Sequence, residues 1–214
     1  MALIADRGIE AVIFDMDGTL LDSTASVERC WDRMADLMGI DRATAPFRHG
    51  VPSISTIREC LPGASEDELL EWNRVQGAME VEDADATVPL PGVFALLRAL
   101  EAAGVPWAIA TSCERDLGEA RHAAAGLPHP AAFVCFEDYE RGKPAPDAFL
   151  HAAAALDIDP RRTVIVEDAP AGVHGAVEAG GFVIAVTHTH GSAELTEAHA
   201  IVESLDALRV LLLG

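Results

Sequence analysis

One lysine and one tyrosine are all that this chain of 214 residues contains of either type. Aromatic residues make up only 5% of it. Alanine fills much of the space they leave, so helices are expected to pack closely. No apolar run reaches the ~18–20 residues that a membrane-spanning helix needs, so no membrane partner is expected. The four cysteines, Cys30, Cys60, Cys113 and Cys135, form no C-x-x-C pair. That pattern disfavours zinc and dithiol redox chemistry and fits a reduced protein. The N-terminal stretch Met1–Arg7 has no basic region followed by a long apolar one, so no signal peptide is read there and a cytoplasmic location is expected. Basic charge is scarce too: the formal net charge is −20. Phosphate backbones select for lysine and arginine, so no nucleic acid partner is expected.

What is present is a rhythm. Glu10–Phe14, Val105–Ala110, Ala132–Cys135, Thr163–Val166 and Phe182–Val186 read as buried strands, short apolar runs closed by polar residues. Helical patterns alternate with them at Gly92–Ala103, Arg115–Ala125, Pro146–Leu156, Ala171–Ala179 and Ser204–Leu213. Gly104, Gly126 and Gly180 stand where three of these helices should stop. The alternation predicts an α/β fold with a mostly parallel sheet covered by helices on both faces. From about Asp22 to Val88 the rhythm breaks. Ser26–Met38, Ser53–Leu61 and Ser65–Met79 read as three helices with no strand between them, and Ser65 with Glu68 forms a capping-box pattern. The expected division is therefore a core from residues 1–20 and 89–214, with a small helical domain at 21–88.

In an open parallel sheet, ligands bind beyond the carboxyl ends of the strands. Four polar groups fall there. Asp15-Met16-Asp17-Gly18-Thr19 follows the first strand, Thr111-Ser112 the second, and Glu167-Asp168 the fourth. Lys143 lies in the loop Arg141-Gly142-Lys143-Pro144. Each has a bland reading alone: a solvated acid pair, a polar strand end, a loop lysine, a helix-start pair complementing the dipole. Together they suit phosphoryl transfer. A carboxylate can attack phosphorus and divide hydrolysis into two steps. Mg²⁺ can offset the repulsion between nucleophile and phosphate. A second acid two residues on can protonate the leaving alkoxide and then deprotonate water. Gly18 permits a tight turn, while a threonine hydroxyl and an ammonium can meet the equatorial oxygens.

Phe14-Asp15-Met16-Asp17-Gly18-Thr19-Leu20, Thr111-Ser112, Gly142-Lys143-Pro144-Ala145-Pro146-Asp147 and Val166-Glu167-Asp168-Ala169-Pro170-Ala171-Gly172-Val173 resemble, in order, the four motifs of the haloacid dehalogenase superfamily. The likeness spans nearly the whole chain and is strongest to its sugar phosphatases. It implies a Rossmann-like core with a helical cap, and a phosphatase acting on a small sugar- or polyol-phosphate. It implies Asp15 as nucleophile and Mg²⁺ ligand, and Asp17 as general acid/base and, through its backbone carbonyl, a further ligand. Thr111, Ser112 and Lys143 would hold the phosphoryl group, with Asp168 and Glu167 at the metal. In the cap, His49-Gly50 matches a pair that implies substrate contact, although Val51-Pro52 stands where some relatives carry a basic residue. The resemblance leaves monomer and homodimer both open. A phosphomutase of the β-phosphoglucomutase type shares the core motifs, but its cap lysine has no counterpart here. A non-catalytic binding protein of the same fold is the remaining alternative. Thr187–His190 reads as a solvated loop, and the three tryptophans as packing residues.

Overall fold

A computed structural model describes residues 2–43 and 53–214. It is an α/β fold. Six strands form one sheet in the order β5-β4-β1-β6-β7-β8: β1 (Ala11–Phe14), β4 (Trp107–Ala110), β5 (Ala132–Val134), β6 (Thr163–Glu167), β7 (Phe182–Val186) and β8 (Ala200–Val202). All five pairings are parallel, so every strand delivers its C-terminal end to the same edge. β1 lies between β4 and β6, with Phe14 opposite Ile109 and Val166.

Because side chains alternate across a strand, the sheet carries two different cores. Val12, Phe14, Trp107, Ile109, Val164 and Val166 face one side, packed with Leu96, Leu97 and Leu100 of α5 (Val93–Ala102) and Leu208 and Leu212 of α9 (Leu205–Leu213). The rings of Phe14 and Trp107 meet edge to face at 6.2 Å. Ile13, Ala108, Ala110, Ile165, Val183 and Ala185 face the other side, against alanines of α7 (Asp147–Ala155) and α8 (Pro170–Ala179). Small residues on both partners bring these helices close to the sheet. Gly104, Gly126 and Gly180 adopt left-handed φ of 68°, 63° and 90° and end α5, α6 (Arg115–Ala124) and α8 as expected.

Among the described residues, three α-helices occupy the segment between the first strand and α5: α2 (Thr24–Met38), α3 (Ser53–Cys60) and α4 (Glu66–Glu82). They share a cluster of their own, built from Cys30, Trp31, Met34, Ile57, Leu69 and Met79. Ser65 and Glu68 form the reciprocal capping box at the start of α4. The strand-free expectation for this segment needs one correction. β2 (Leu21–Asp22) and β3 (Val88–Pro89) pair antiparallel, so the chain leaves and re-enters side by side. Two further elements went unread. β8 is a three-residue edge strand, and α1 (Leu3–Arg7) is a single turn or so with no buried residue. Among the described residues, no helix is long and apolar enough to cross a membrane.

Candidate active site

The loop after β1 makes a turn tighter than most residues can follow. The Asp15 amide donates to Val166 O at 2.9 Å, continuing the β1–β6 ladder one residue past the strand. The Leu20 and Leu21 amides then fold back onto Met16 O, and the Gly18 amide donates to Leu21 O at 2.7 Å. Gly18 sits at φ +85°, and a Cβ there would run into the Asp168 carboxylate. The glycine is what lets this loop reach the end of β6.

At that junction three carboxylates converge. Ligand oxygens of Asp15, Glu167 and Asp168 all lie within 4.8 Å of one another, and all three residues are buried. Among the described residues, one cation answers them. Lys143 Nζ donates to Asp15 Oδ1 at 2.5 Å and to Glu167 Oε1 at 2.6 Å, above the Phe149 ring. Glu167 uses its other oxygen to accept the amides of Asp168 and Ala169 at the start of α8, at 2.8 and 2.9 Å. Glu167 thus accepts from the helix start with one oxygen and from Lys143 with the other. Gly172, one turn on, leaves room for that carboxylate, since a Cβ would occupy its position. Asp168 accepts from Thr19 Oγ1 at 3.2 Å and from the Thr189 hydroxyl.

The electrostatics show an imbalance. Burial, then the charge of Glu167, pushes Asp168 up to about 7. Burial also holds Asp15 well above the usual carboxylate range, despite the opposing pull of Lys143. For Lys143, burial disfavours the charge, yet Asp15 and Glu167 outweigh it and raise its pKa. Three buried acids against one ammonium leave a surplus of negative charge with an all-oxygen donor set. That is the chemistry of a hard divalent cation such as Mg²⁺.

Asp17 faces elsewhere. Its Oδ1 accepts from Arg121 Nη1 of α6 at 2.9 Å, and its Oδ2 from Cys113 Sγ at 3.2 Å. Arg121 Nη2 donates to Glu80 Oε2 of α4 at 3.0 Å, and Gln76 Nε2 donates to Glu80 Oε1 at 2.6 Å. Thr111, buried after β4, accepts the Cys113 amide on its hydroxyl at 3.1 Å, and the Tyr139 hydroxyl donates to Thr111 O at 3.0 Å. Burial, chiefly, keeps the Cys113 thiol far above its ordinary range, so it is no nucleophile.

A cavity of about 570 Å³ opens over these groups. Asp15, Asp17, Thr111, Ser112, Lys143, Glu167 and Asp168 all line it, as do Trp31, Asn73, Gly77 and Val81 from the helical segment. Every expected core position therefore meets at one opening. His49 and Gly50 lie outside the described residues. Several neighbours were not anticipated: Arg121, Glu80, Thr19, and the loop pair Thr189 and His190, which touches Asp168 rather than only solvent. Arg121 could have been noticed, because it follows Leu117 at i+4 on the face that α6 buries.

Residues 9–180 match the model of the haloacid dehalogenase-like hydrolases. The chain belongs to that family. Among similar proteins, hexitol phosphatase A of Escherichia coli (strain K12) is 41% identical over 200 residues, covering 92% of each chain. Validoxylamine A 7′-phosphate phosphatase of Streptomyces hygroscopicus subsp. limoneus is 31% identical, over 94% of this chain and 96% of its own. The solved structure of CbbY from Rhodobacter sphaeroides in complex with phosphate superposes with a TM-score of 0.81 at 24% identity, over 94% of this chain and 96% of that one. At that identity the structural likeness speaks for the fold. The motif resemblance read from the sequence and the family match agree, and both describe a hydrolase.

Proposed function

We propose that this haloacid dehalogenase-like hydrolase is a Mg²⁺-dependent phosphatase that cleaves a small sugar- or polyol-phosphate monoester through a phosphoryl-aspartate on Asp15. The observation that carries this reading is the buried cluster Asp15–Lys143–Glu167–Asp168 at one sheet edge, beneath a cavity that Asp17 also lines. The cavity volume suits a small metabolite. The likeness to hexitol phosphatase A supports a polyol or sugar as the organic part.

Asp15 and Asp168, with Glu167 beside them, are the groups that would hold Mg²⁺, which when bound lowers the repulsion between carboxylate and phosphate. Asp15 attacks phosphorus with one carboxylate oxygen, and the bond from phosphorus to the substrate oxygen breaks. Asp17 gives its proton to the departing alkoxide. A water then attacks the same phosphorus, Asp17 takes that water's proton, and the bond to Asp15 breaks to release inorganic phosphate. Lys143 stabilises negative charge on Asp15 and on the transferring group, and Glu167 holds Lys143 in place. Thr111 and the Ser112 backbone, which line the cavity, would orient the equatorial oxygens. Residues 21–88 act as the cap that covers the substrate and limits entry of water. The four cysteines are free, in keeping with a reducing compartment such as the cytoplasm.

A panel of three- to six-carbon polyol and sugar phosphates, assayed for phosphate release with Mg²⁺ and with chelator, tests this. Turnover with Mg²⁺ alone is expected. Isomerisation of a sugar phosphate without net phosphate release would point to the mutase reading, and no turnover of any ester would remove the enzyme reading.

A further inference from the structure

The proposed acid, Asp17, belongs to the loop after β1, yet the strongest hold on it comes from across the molecule. Arg121 donates to Asp17 through Nη1 and to Glu80 through Nη2. Its side chain is only 4% exposed. Glu80 is buried as well, and its second oxygen is taken by the buried Gln76. The result is one continuous chain, Gln76–Glu80–Arg121–Asp17, running from α4 through α6 to the site. Fold stability gives little reason to keep it. A buried ion pair often stabilises no more than apolar residues of similar volume, and here Arg121 Nε is left buried without a partner. An arrangement with an unpaired buried donor calls for another explanation.

The position of α4 supplies one. Asn73 and Gly77, on the same helix, line the cavity above the site. The helix that lines the cavity is thus the helix that anchors Arg121. We infer that Arg121 is a positioning residue for Asp17, held in place by Glu80 and Gln76, so that the helical segment orients the proton-transferring carboxylate through one buried chain of hydrogen bonds. This rests on the reading of Asp17 as general acid.

Leaving-group dependence tests it. kcat/KM reports the steps up to departure of the leaving group. A polyol leaves as an alkoxide that needs the proton of Asp17, whereas p-nitrophenolate leaves as a stable anion. Arg121→Gln is expected to lower kcat/KM for the polyol phosphate by about 10- to 100-fold, while p-nitrophenyl phosphate loses less than about threefold. Arg121→Lys, which keeps the charge but reaches one carboxylate at a time, is expected to recover part of the ratio. Should Arg121→Gln fail to fold, Glu80→Gln removes only the link to α4, and it is expected to shift the same ratio in the same direction by about threefold or more. A parallel fall for both substrates, or an unchanged ratio, in whichever variants fold overturns the inference. If wild type is active and Asp17→Asn shows the selective loss while Arg121 and Glu80 variants do not, only this inference fails. If wild type hydrolyses no phosphomonoester, the phosphatase reading fails and takes the inference with it.

Discussion

Replacing Lys143 by methionine keeps the length of the side chain and removes its charge. The ammonium sits 2.5 Å from Asp15 and 2.6 Å from Glu167, with side-chain exposures of 9%, 10% and 2% for the three groups. Asp168 lies in the same cluster. Among the described residues, loss of Lys143 leaves these three buried acids with no ion-pair partner. Removing one partner of a buried pair costs roughly 3–5 kcal/mol, because the remaining charge is uncompensated. At ~2–4 °C per kcal/mol for a chain of this size, the Tm of metal-free protein at neutral pH should fall by about 6–20 °C. Two conditions should shrink that loss. Lowering the pH lets the acids take up protons and removes the unpaired charge. Adding Mg²⁺ stabilises both proteins, and it narrows the gap by the extra affinity that loss of the neighbouring ammonium gives the variant, about 1.4 kcal/mol for a tenfold tighter Kd. Thermal melts of Lys143→Met and wild type, each with chelator or Mg²⁺ and at pH 5 and pH 7.5, give all four comparisons. A metal-free loss under about 2 °C at pH 7.5 would refute the idea that Lys143 neutralises this cluster, as would a loss that is equal at both pH values. In assays, the same variant should raise KM and lower kcat together.

Asp17→Asn should fold and bind Mg²⁺ normally but turn over about 10²–10⁴-fold more slowly, as steady-state kinetics beside a Mg²⁺ titration would show; a normal rate would assign the acid elsewhere. Asp168 has a folded-state pKa of about 7, above its ordinary 3.8. Its contribution to metal-free stability is therefore full below about pH 4 and declines as the pH rises to about 7, by at most ~1.4 kcal/mol per pH unit. The stability of wild type relative to Asp168→Asn, from urea unfolding in chelator, should fall across that window, and an opposite slope would contradict the burial argument. Mg²⁺ should flatten the decline, because it favours the charged form. Gly18→Ala places a Cβ at φ +85° against the Asp168 carboxylate. The backbone strain alone is ~1–2 kcal/mol, and Mg²⁺ affinity should drop with it; unchanged affinity would mean that the loop does not set Asp168.

The central strands were legible because they are buried on both faces and read as apolar runs, as in Ala11–Phe14 and Val164–Val166. Ala200-Ile201-Val202 escaped notice for the opposite reason: it is short, at the sheet edge, and half exposed. The ribbon of Leu21–Asp22 with Val88–Pro89 is two residues long, too short for any periodicity. At the site, Asp15, Thr111 and Glu167-Asp168 could be read because each stands at the end of a strand, and Lys143 because it is the one lysine of the sequence. Arg121 and Glu80 could not be read so easily, since a charge on a helix normally signals a solvated face. Both sit on faces that their helices bury, 41 residues apart, and only the packing of α4 on α6 brings them together. Thr189 reaches Asp168 from a loop whose sequence gives no hint of that contact.

Everything proposed about the chemistry passes through Asp15. Mixing the enzyme with Mg²⁺ and excess polyol phosphate, quenching in acid within a turnover, and measuring intact and peptide masses tests it directly. The expected result is an acid-stable phosphoryl group on the peptide carrying Asp15, absent from Asp15→Asn, which should also have lost turnover. Phosphate release by Asp15→Asn at the wild-type rate, or a phosphoryl group on any other residue, would contradict the account.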